Sequence, residues 1–159
     1  VSTSGLVSIL GGKWTTYRKM SEDLINTAQS VGGLPERACI TKSLPIHGYD
    51  YNSDWSNPLH IYGTDIEKIT ALDEGGNTSL SEEVNISKNQ ILWAVREEMA
   101  MSVEDVLARR TRTLFLNATE AKNLALQVAE IMAAEMEKDQ RWVENQINQF
   151  DQLVEKYIL

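Results

Sequence analysis

The sequence predicts a mainly α protein: a helical domain over residues 64–159, preceded by a short strand–turn–helix over residues 1–32. Three observations carry this. Helix-capping pairs recur at Ser87/Gln90, Ser102/Asp105 and Asn117/Glu120, and Asp139 supplies a fourth cap. Apolar residues follow each cap at helical spacing. Finally, a glycine pair, Gly11-Gly12, cuts an apolar run and opens a new periodic stretch.

At the front, Leu6, Val7, Ile9 and Leu10 read as a strand ending on the two glycines. Thr15 or Thr16 then caps a helix whose apolar positions are Tyr17, Met20, Leu24, Ile25 and Ala28. Gly32-Gly33 and Pro35 stop it. Residues 33–63 hold all three prolines and many turn formers, so a linker or wrapping loop is expected there. A short helix from Asp65 to Leu72 ends at Gly75-Gly76. Behind it come four apolar faces: Ile91, Val95 and Met99; Val103, Val106 and Leu107; Ala121, Leu124, Val128 and Ile131; and Val143, Ile147, Phe150, Val154 and Tyr157. Ile86 and Ile91 form a hydrophobic staple around the Ser87 cap. Each face must be buried against another, so residues 64–159 are expected to close on themselves.

Composition narrows the function classes. With 42% hydrophobic and 24% charged residues, the 159-residue chain can build an ordinary core. No apolar run approaches the roughly 20 residues that cross a bilayer, and Val1 to Leu10 has neither a basic region nor a cleavage pattern. Val1 in place of Met suggests a piece of a longer chain. The net charge is −8 and uneven: residues 1–42 carry five Lys/Arg against three Asp/Glu, and residues 43–159 carry ten against twenty. So acidic a body disfavours nucleic acid. Cys39 is the only cysteine, which rules out an internal disulfide and fits a reducing compartment.

Gly11-Gly12-Lys13-Trp14-Thr15-Thr16-Tyr17-Arg18 is the most informative stretch. Glycines let a backbone approach a ligand closely. The unpaired N–H groups of a first helical turn favour negative charge, and Lys13 adds a full positive charge at the same place. The unit suits a flavin's pyrimidine edge and would suit a phosphate equally well. A plain strand-to-helix turn accounts for the same residues.

The run from Ile9 to Asp23 resembles the last flavin-contacting element of FAD-dependent glycerol-3-phosphate dehydrogenases and alpha-glycerophosphate oxidases, with their Gly-Gly-Lys-x-Thr-Thr-Tyr-Arg stretch. Ala94-Val95-Arg96-Glu97-Glu98-Met99-Ala100 and Val103 to Arg112 are similar to the helical C-terminal domain of the same family. The resemblance implies an enzyme that oxidises sn-glycerol 3-phosphate to dihydroxyacetone phosphate, passing electrons to FAD and then to quinone or oxygen. It implies cofactor contacts at Gly11, Gly12, Lys13, Trp14, Thr15 and Thr16, and no catalytic residue in the helical domain. Residues 1–32 would then be the end of an FAD-binding domain. The family's Gly-x-Gly-x-x-Gly fingerprint does not occur in this sequence, so the chain alone is expected to be inactive and not to hold FAD. Its implied partners are the upstream flavin and substrate domain of the same chain, a membrane quinone and a homo-oligomeric copy. The implied location is cytoplasmic, peripheral on the inner face of the membrane.

Other constellations carry less. Arg96, Arg109, Arg110 and Arg112 sit among Glu97, Glu98, Glu104 and Asp105, which reads first as helix-surface or interdomain ion pairs. Residues 87–112 could mimic a helix-turn-helix, but their apolar face is needed for packing. A stand-alone helical interaction module is the stronger rival reading. His47 and His60 lie 13 apart in a loop region with no Cys or carboxylate at zinc spacing, so no metal site is expected at either. Trp14 could line the cofactor cavity, while Trp55, Trp93 and Trp142 are expected in packing roles.

Overall fold

The computed structural model describes residues 1–158, and the chain falls by internal contacts into a first unit, Val1–Tyr49, and a second that begins at Asp50. The dividing point lies inside the 33–63 segment expected as a linker. The architecture is mainly helical, and no strand occurs among the described residues.

In the first unit, a 3-10 turn over Trp14–Thr16 runs directly into helix α1, Tyr17–Gly32. Gly33 ends it in the left-handed region (φ 60°), and the Leu34 N–H reaches back to the Gln29 carbonyl at 2.9 Å. Only a residue without a β-carbon takes this cap freely. The strand expected over residues 6–10 does not form. A strand is completed by a neighbour's backbone, and the described residues offer none. Instead the chain closes a local turn: the Ser2 N–H donates to the Leu6 carbonyl at 2.9 Å, and the Leu6 N–H to Ser2 Oγ at 3.0 Å. Thr16 stands at the N-cap position of α1, as expected, but its hydroxyl makes no capping bond to α1 and instead serves the 3-10 turn that starts behind Lys13. No residue of the first 49 is buried, although α1 carries Tyr17, Ile25 and Val31.

The second unit holds the core. A 3-10 segment over His60–Asp65 leads into α2, Ile66–Thr70. Helix α3, Lys88–Arg96, starts with both halves of its capping box in place: Ser87 Oγ accepts the Gln90 N–H, and Gln90 Oε1 accepts the Ser87 N–H at 2.8 Å. The staple residues Ile86 and Ile91 are completely buried. Met99 was expected to extend the α3 face, yet it lies past the helix end with φ 57° and is 82% exposed. The Ala100 N–H bonds back to the Ala94 carbonyl, which folds the chain away at this point.

Asp105–Arg110 forms a π-helical turn that buries Val106 and Leu107, with Val103 just ahead of it equally enclosed. Asp105 Oδ2 gathers the N–H groups of Met101 and Ser102 and the Ser102 hydroxyl. Helix α4, Thr113–Leu116, precedes α5, Ala118–Glu135, which is capped where Asn117 accepts the Glu120 N–H. Helix α6, Gln140–Val154, is capped by Asp139, which accepts the Trp142 N–H at 2.9 Å. Phe150, Met132, Val128 and Leu107 are among the side chains that fill the space between these helices. Tyr157, expected on the α6 face, falls beyond the helix and stays 46% exposed against the edge of Phe115. A smaller cluster, Tyr62, Ile69 and Trp93, packs beside the main core. Trp142 is half-buried as expected. Trp55 is not: it is 81% exposed and lies against the His60 ring.

Candidate functional site: the Gly11–Thr16 turn

Two consecutive glycines take left-handed backbone angles, φ 77° at Gly11 and 107° at Gly12. Such angles strain any residue with a β-carbon. At Gly12 space is short as well, since a β-carbon there would come within 2.2 Å of the Met20 thioether. The chain then enters the helix at Lys13. Thr16 clamps this entry: its hydroxyl accepts the Lys13 N–H at 2.9 Å and donates to the Lys13 carbonyl at 3.0 Å, while its own N–H also reaches that carbonyl at 2.9 Å.

This clamp sorts the expected site residues. Gly11, Gly12, Lys13 and Trp14 line one groove of about 390 Å³, floored by Tyr17, Met20 and Leu24. Thr15 and Thr16 do not line it, and Thr16 works from behind as the brace. The Lys13 N–H is used inside the turn, so it offers nothing outward. The N–H groups of Trp14 and Thr15 belong to the first turn, which leaves them without an intrahelical acceptor. The Lys13 side chain makes no ion pair among the described residues. The Trp14 ring is 86% exposed and tilts over Tyr17, with centroids 5.4 Å apart. The groove therefore offers close backbone approach, one unpaired cation and a flat aromatic face. Met20 was missed as part of this floor. Its spacing along α1 from Tyr17 and Leu24 is the signal that could have found it.

Arg18, the last residue of the motif, turns elsewhere. It pairs with Glu22 at 2.8 Å and reaches the Thr41 hydroxyl at 3.3 Å and the Cys39 sulfur at 3.8 Å. The hydrogen bond with Glu22 raises the guanidinium pKa and lowers that of the carboxyl. Cys39 is exposed, and its thiol is pulled below its ordinary range chiefly by the Thr41 hydroxyl.

The arginines of the second unit do not converge on one anion site. Arg96 makes a two-pronged pair with Glu135 at 2.6 and 2.7 Å, joining α3 to α5. Arg109 pairs with Glu104 and Asp105, and Arg110 holds both the carbonyl and the carboxylate of Glu98. Arg112 sits at φ 61° without an ion pair among the described residues.

Residues 5–143 match the family model described as the C-terminal domain of alpha-glycerophosphate oxidase. The chain is 34% identical over 152 residues to the "Probable glycerol-3-phosphate dehydrogenase, mitochondrial" of Dictyostelium discoideum, covering 84% of this chain and 24% of that protein. It is 31% identical over 163 residues to the "Glycerol-3-phosphate dehydrogenase, mitochondrial" of Mesocricetus auratus, covering 86% and 22%. It is 30% identical over 165 residues to the protein of the same name from Homo sapiens, covering 87% and 22%. The chain thus spans under a quarter of the length of these relatives. No solved structure matches it. With the family model covering residues 5–143, most of the sequence, the chain belongs to the family of alpha-glycerophosphate oxidase C-terminal domains.

Proposed function

We propose that this chain is the C-terminal part of a flavoprotein that oxidises sn-glycerol 3-phosphate to dihydroxyacetone phosphate. In this reading, Gly11, Gly12, Lys13, Trp14, Thr15 and Thr16 form one edge of its FAD site. The family and the names of its relatives support the activity. The single observation that supports the site is the turn itself: two left-handed glycines deliver an unpaired Lys13 and a first helical turn to one groove.

The residues present fit a flavin edge. FAD, when bound, would supply the electron acceptor for the alcohol. Gly11 and Gly12 admit a flat ring system close to the backbone. Lys13 and the N–H groups of Trp14 and Thr15 place positive potential where the pyrimidine edge gathers negative charge. Trp14 offers a face that excludes water from the ring. Thr16 fixes the backbone angle from which Lys13 projects. Electrons then pass to quinone or oxygen, and the turn favours neither. A quinone acceptor would bring the parent to a membrane face. No helix among the described residues is long and apolar enough to cross one.

Lys13→Met in the full-length parent tests this reading. Flavin reduction is expected to slow, and the flavin potential to fall. The loss should be smaller than the ~10²–10³-fold seen when an enzyme loses one oxyanion-hole donor, because backbone donors remain. Unchanged rapid-reaction kinetics together with an unmoved potential would assign Lys13 to structure alone.

A further inference from the structure

Met20 supports the Gly11–Thr16 turn in two ways, and both fall on its sulfur. The thioether lies against the Gly12 backbone, since a β-carbon at Gly12 would come within 2.2 Å of Sδ and 2.8 Å of Cε. The sulfur also accepts the Thr16 hydroxyl at 3.4 Å. The side chain is half-buried and lines the groove of about 390 Å³ in front of the turn, so small solutes reach it.

The Thr16 hydroxyl carries a single hydrogen. That hydrogen also serves the Lys13 carbonyl, at 3.0 Å. A thioether is a weak acceptor. The carbonyl therefore holds the larger share, and the clamp on Lys13 stays closed. Oxidation of a methionine replaces this apolar side chain with a polar sulfoxide. An oxygen added to the Met20 sulfur has two places to go. With the sulfur left in position, it either meets the Gly12 backbone or draws the Thr16 hydroxyl away from the Lys13 carbonyl. With the side chain swung into the groove, the packing beneath Gly12 is lost. Each outcome loosens the turn.

The other four methionines all belong to the second unit. Met99 and Met101 are 82% and 65% exposed, Met132 is fully buried, and Met136 packs half-buried against the core. Among the five, Met20 is the one whose sulfur sits inside the candidate site.

We propose that Met20 is an oxidation site that sets the tightness of the Gly11–Thr16 turn, with hydrogen peroxide or another small hydroperoxide as the oxidant. The sulfur lone pair attacks one peroxide oxygen, and the S–O bond forms as the O–O bond breaks. Sulfur gives up two electrons and the peroxide gains them. The departing hydroxide takes the proton of the transferred oxygen and leaves as water. A methionine sulfoxide reductase reverses the change. The effect on a bound flavin rests on the reading of the turn as a flavin edge, whereas the oxidation and the loosening of the turn do not.

The test treats the 159-residue chain, labelled with ¹⁵N and with ¹³C in its methionine methyl groups, with hydrogen peroxide. The methyl signals follow each sulfur, and amide exchange follows the turn. The expected order is Met99 and Met101 first, then Met20, well ahead of Met132. As the Met20 signal converts, exchange of the Lys13 amide should rise about five-fold, the size of one lost hydrogen bond. Methionine sulfoxide reductase should return both signals. Cys39 is exposed to the same oxidant, so a variant without the Met20 sulfur is the control. Met20→Leu conserves the volume beneath Gly12, and its Lys13 exchange should be the same before and after peroxide. A Met20 that stays reduced until Met132 reacts overturns the proposal. So does a Met20 sulfoxide that leaves Lys13 exchange unchanged, and so does an equal rise in Met20→Leu.

Discussion

The Thr16 hydroxyl holds Lys13 from both sides, accepting its N–H at 2.9 Å and donating to its carbonyl at 3.0 Å. This reciprocal pair is what converts two left-handed glycines into a defined helix start.

Thr16→Val therefore removes a hydroxyl while keeping the shape of the side chain. The expected loss is about 1 kcal/mol of local stability, the usual size for an N-terminal cap. That corresponds to roughly five-fold faster exchange of the Lys13 amide. Hydrogen-exchange NMR on the 159-residue chain reads it directly. Protection of Lys13 that is unchanged in the variant would mean that the Thr16 N–H bond to the Lys13 carbonyl suffices alone.

Gly76 and Asn89 give a second, buried relationship. Asn89 is fully enclosed, and its amide NH2 donates to the Asp73 carbonyl at 3.0 Å and to Asn77 Oδ1 at 2.9 Å. A β-carbon at Gly76 would stand 2.2 Å from Asn89 Oδ1. Because the amide is pinned by both hydrogen bonds, it cannot swing aside without breaking one. Gly76→Ala should cost about 1–3 kcal/mol, the range for overpacking a closed site. Urea unfolding measures it, and a neutral result would show that the Glu74–Asn77 turn can shift as a body.

How much of this was legible in the sequence depended on range. The caps at Ser87, Asn117 and Asp139 appear where the spacing placed them, because each needs only residues three positions apart. The break at Gly11 and Gly12 was legible for the same local reason, whereas their left-handed angles are seen only in the structure. The strand over residues 6–10 was not, because apolar alternation states a capacity and pairing supplies the strand. Met99 was misplaced because helical spacing continues in the sequence after the backbone has already turned. Trp55 reads like a core residue by type, yet the loop that carries it has no apolar partner to bury it except the His60 ring. In the candidate site, the chemistry of Lys13 was visible, whereas the commitment of its N–H to Thr16 is a matter of rotamer and distance.

Glu98 should shape the pH profile. Burial, reinforced by Asp65, holds its carboxyl above the usual range, and Arg110 only partly opposes this. The folded state thus binds the proton more tightly than the unfolded one. Its contribution favours folding in acid and is lost as pH rises through the folded pKa. Glu98→Gln removes the titration while Arg110 keeps its bond to the Glu98 carbonyl. The variant should gain stability relative to the parent sequence as pH is raised from acid to neutral. Urea midpoints across that interval test it: a constant difference between the two proteins would remove Glu98 from the profile.

The last prediction concerns the two units. Every fully buried side chain lies in the second: the main core runs from Ile86 to Val154, and the smaller cluster joins Tyr62, Ile69 and Trp93. The first 49 residues bury nothing, and α1 leaves Tyr17, Ile25 and Val31 largely exposed. Cooperative unfolding follows burial of apolar surface, so the transition of the chain should belong to residues 50–159. Deleting residues 1–49 is expected to leave a single thermal transition within about 5 °C of the original, equivalent to roughly 1 kcal/mol for a domain of this size. Residues 1–49 alone should melt without cooperativity, since an isolated helix of this length is marginal in water. The two halves of the experiment check each other. A deletion that abolishes the transition makes the first unit integral to the fold, and a cooperative transition in residues 1–49 gives that unit a core of its own. If both pieces behave as expected, the Gly11–Thr16 turn and α1 can be altered without cost to the helical core.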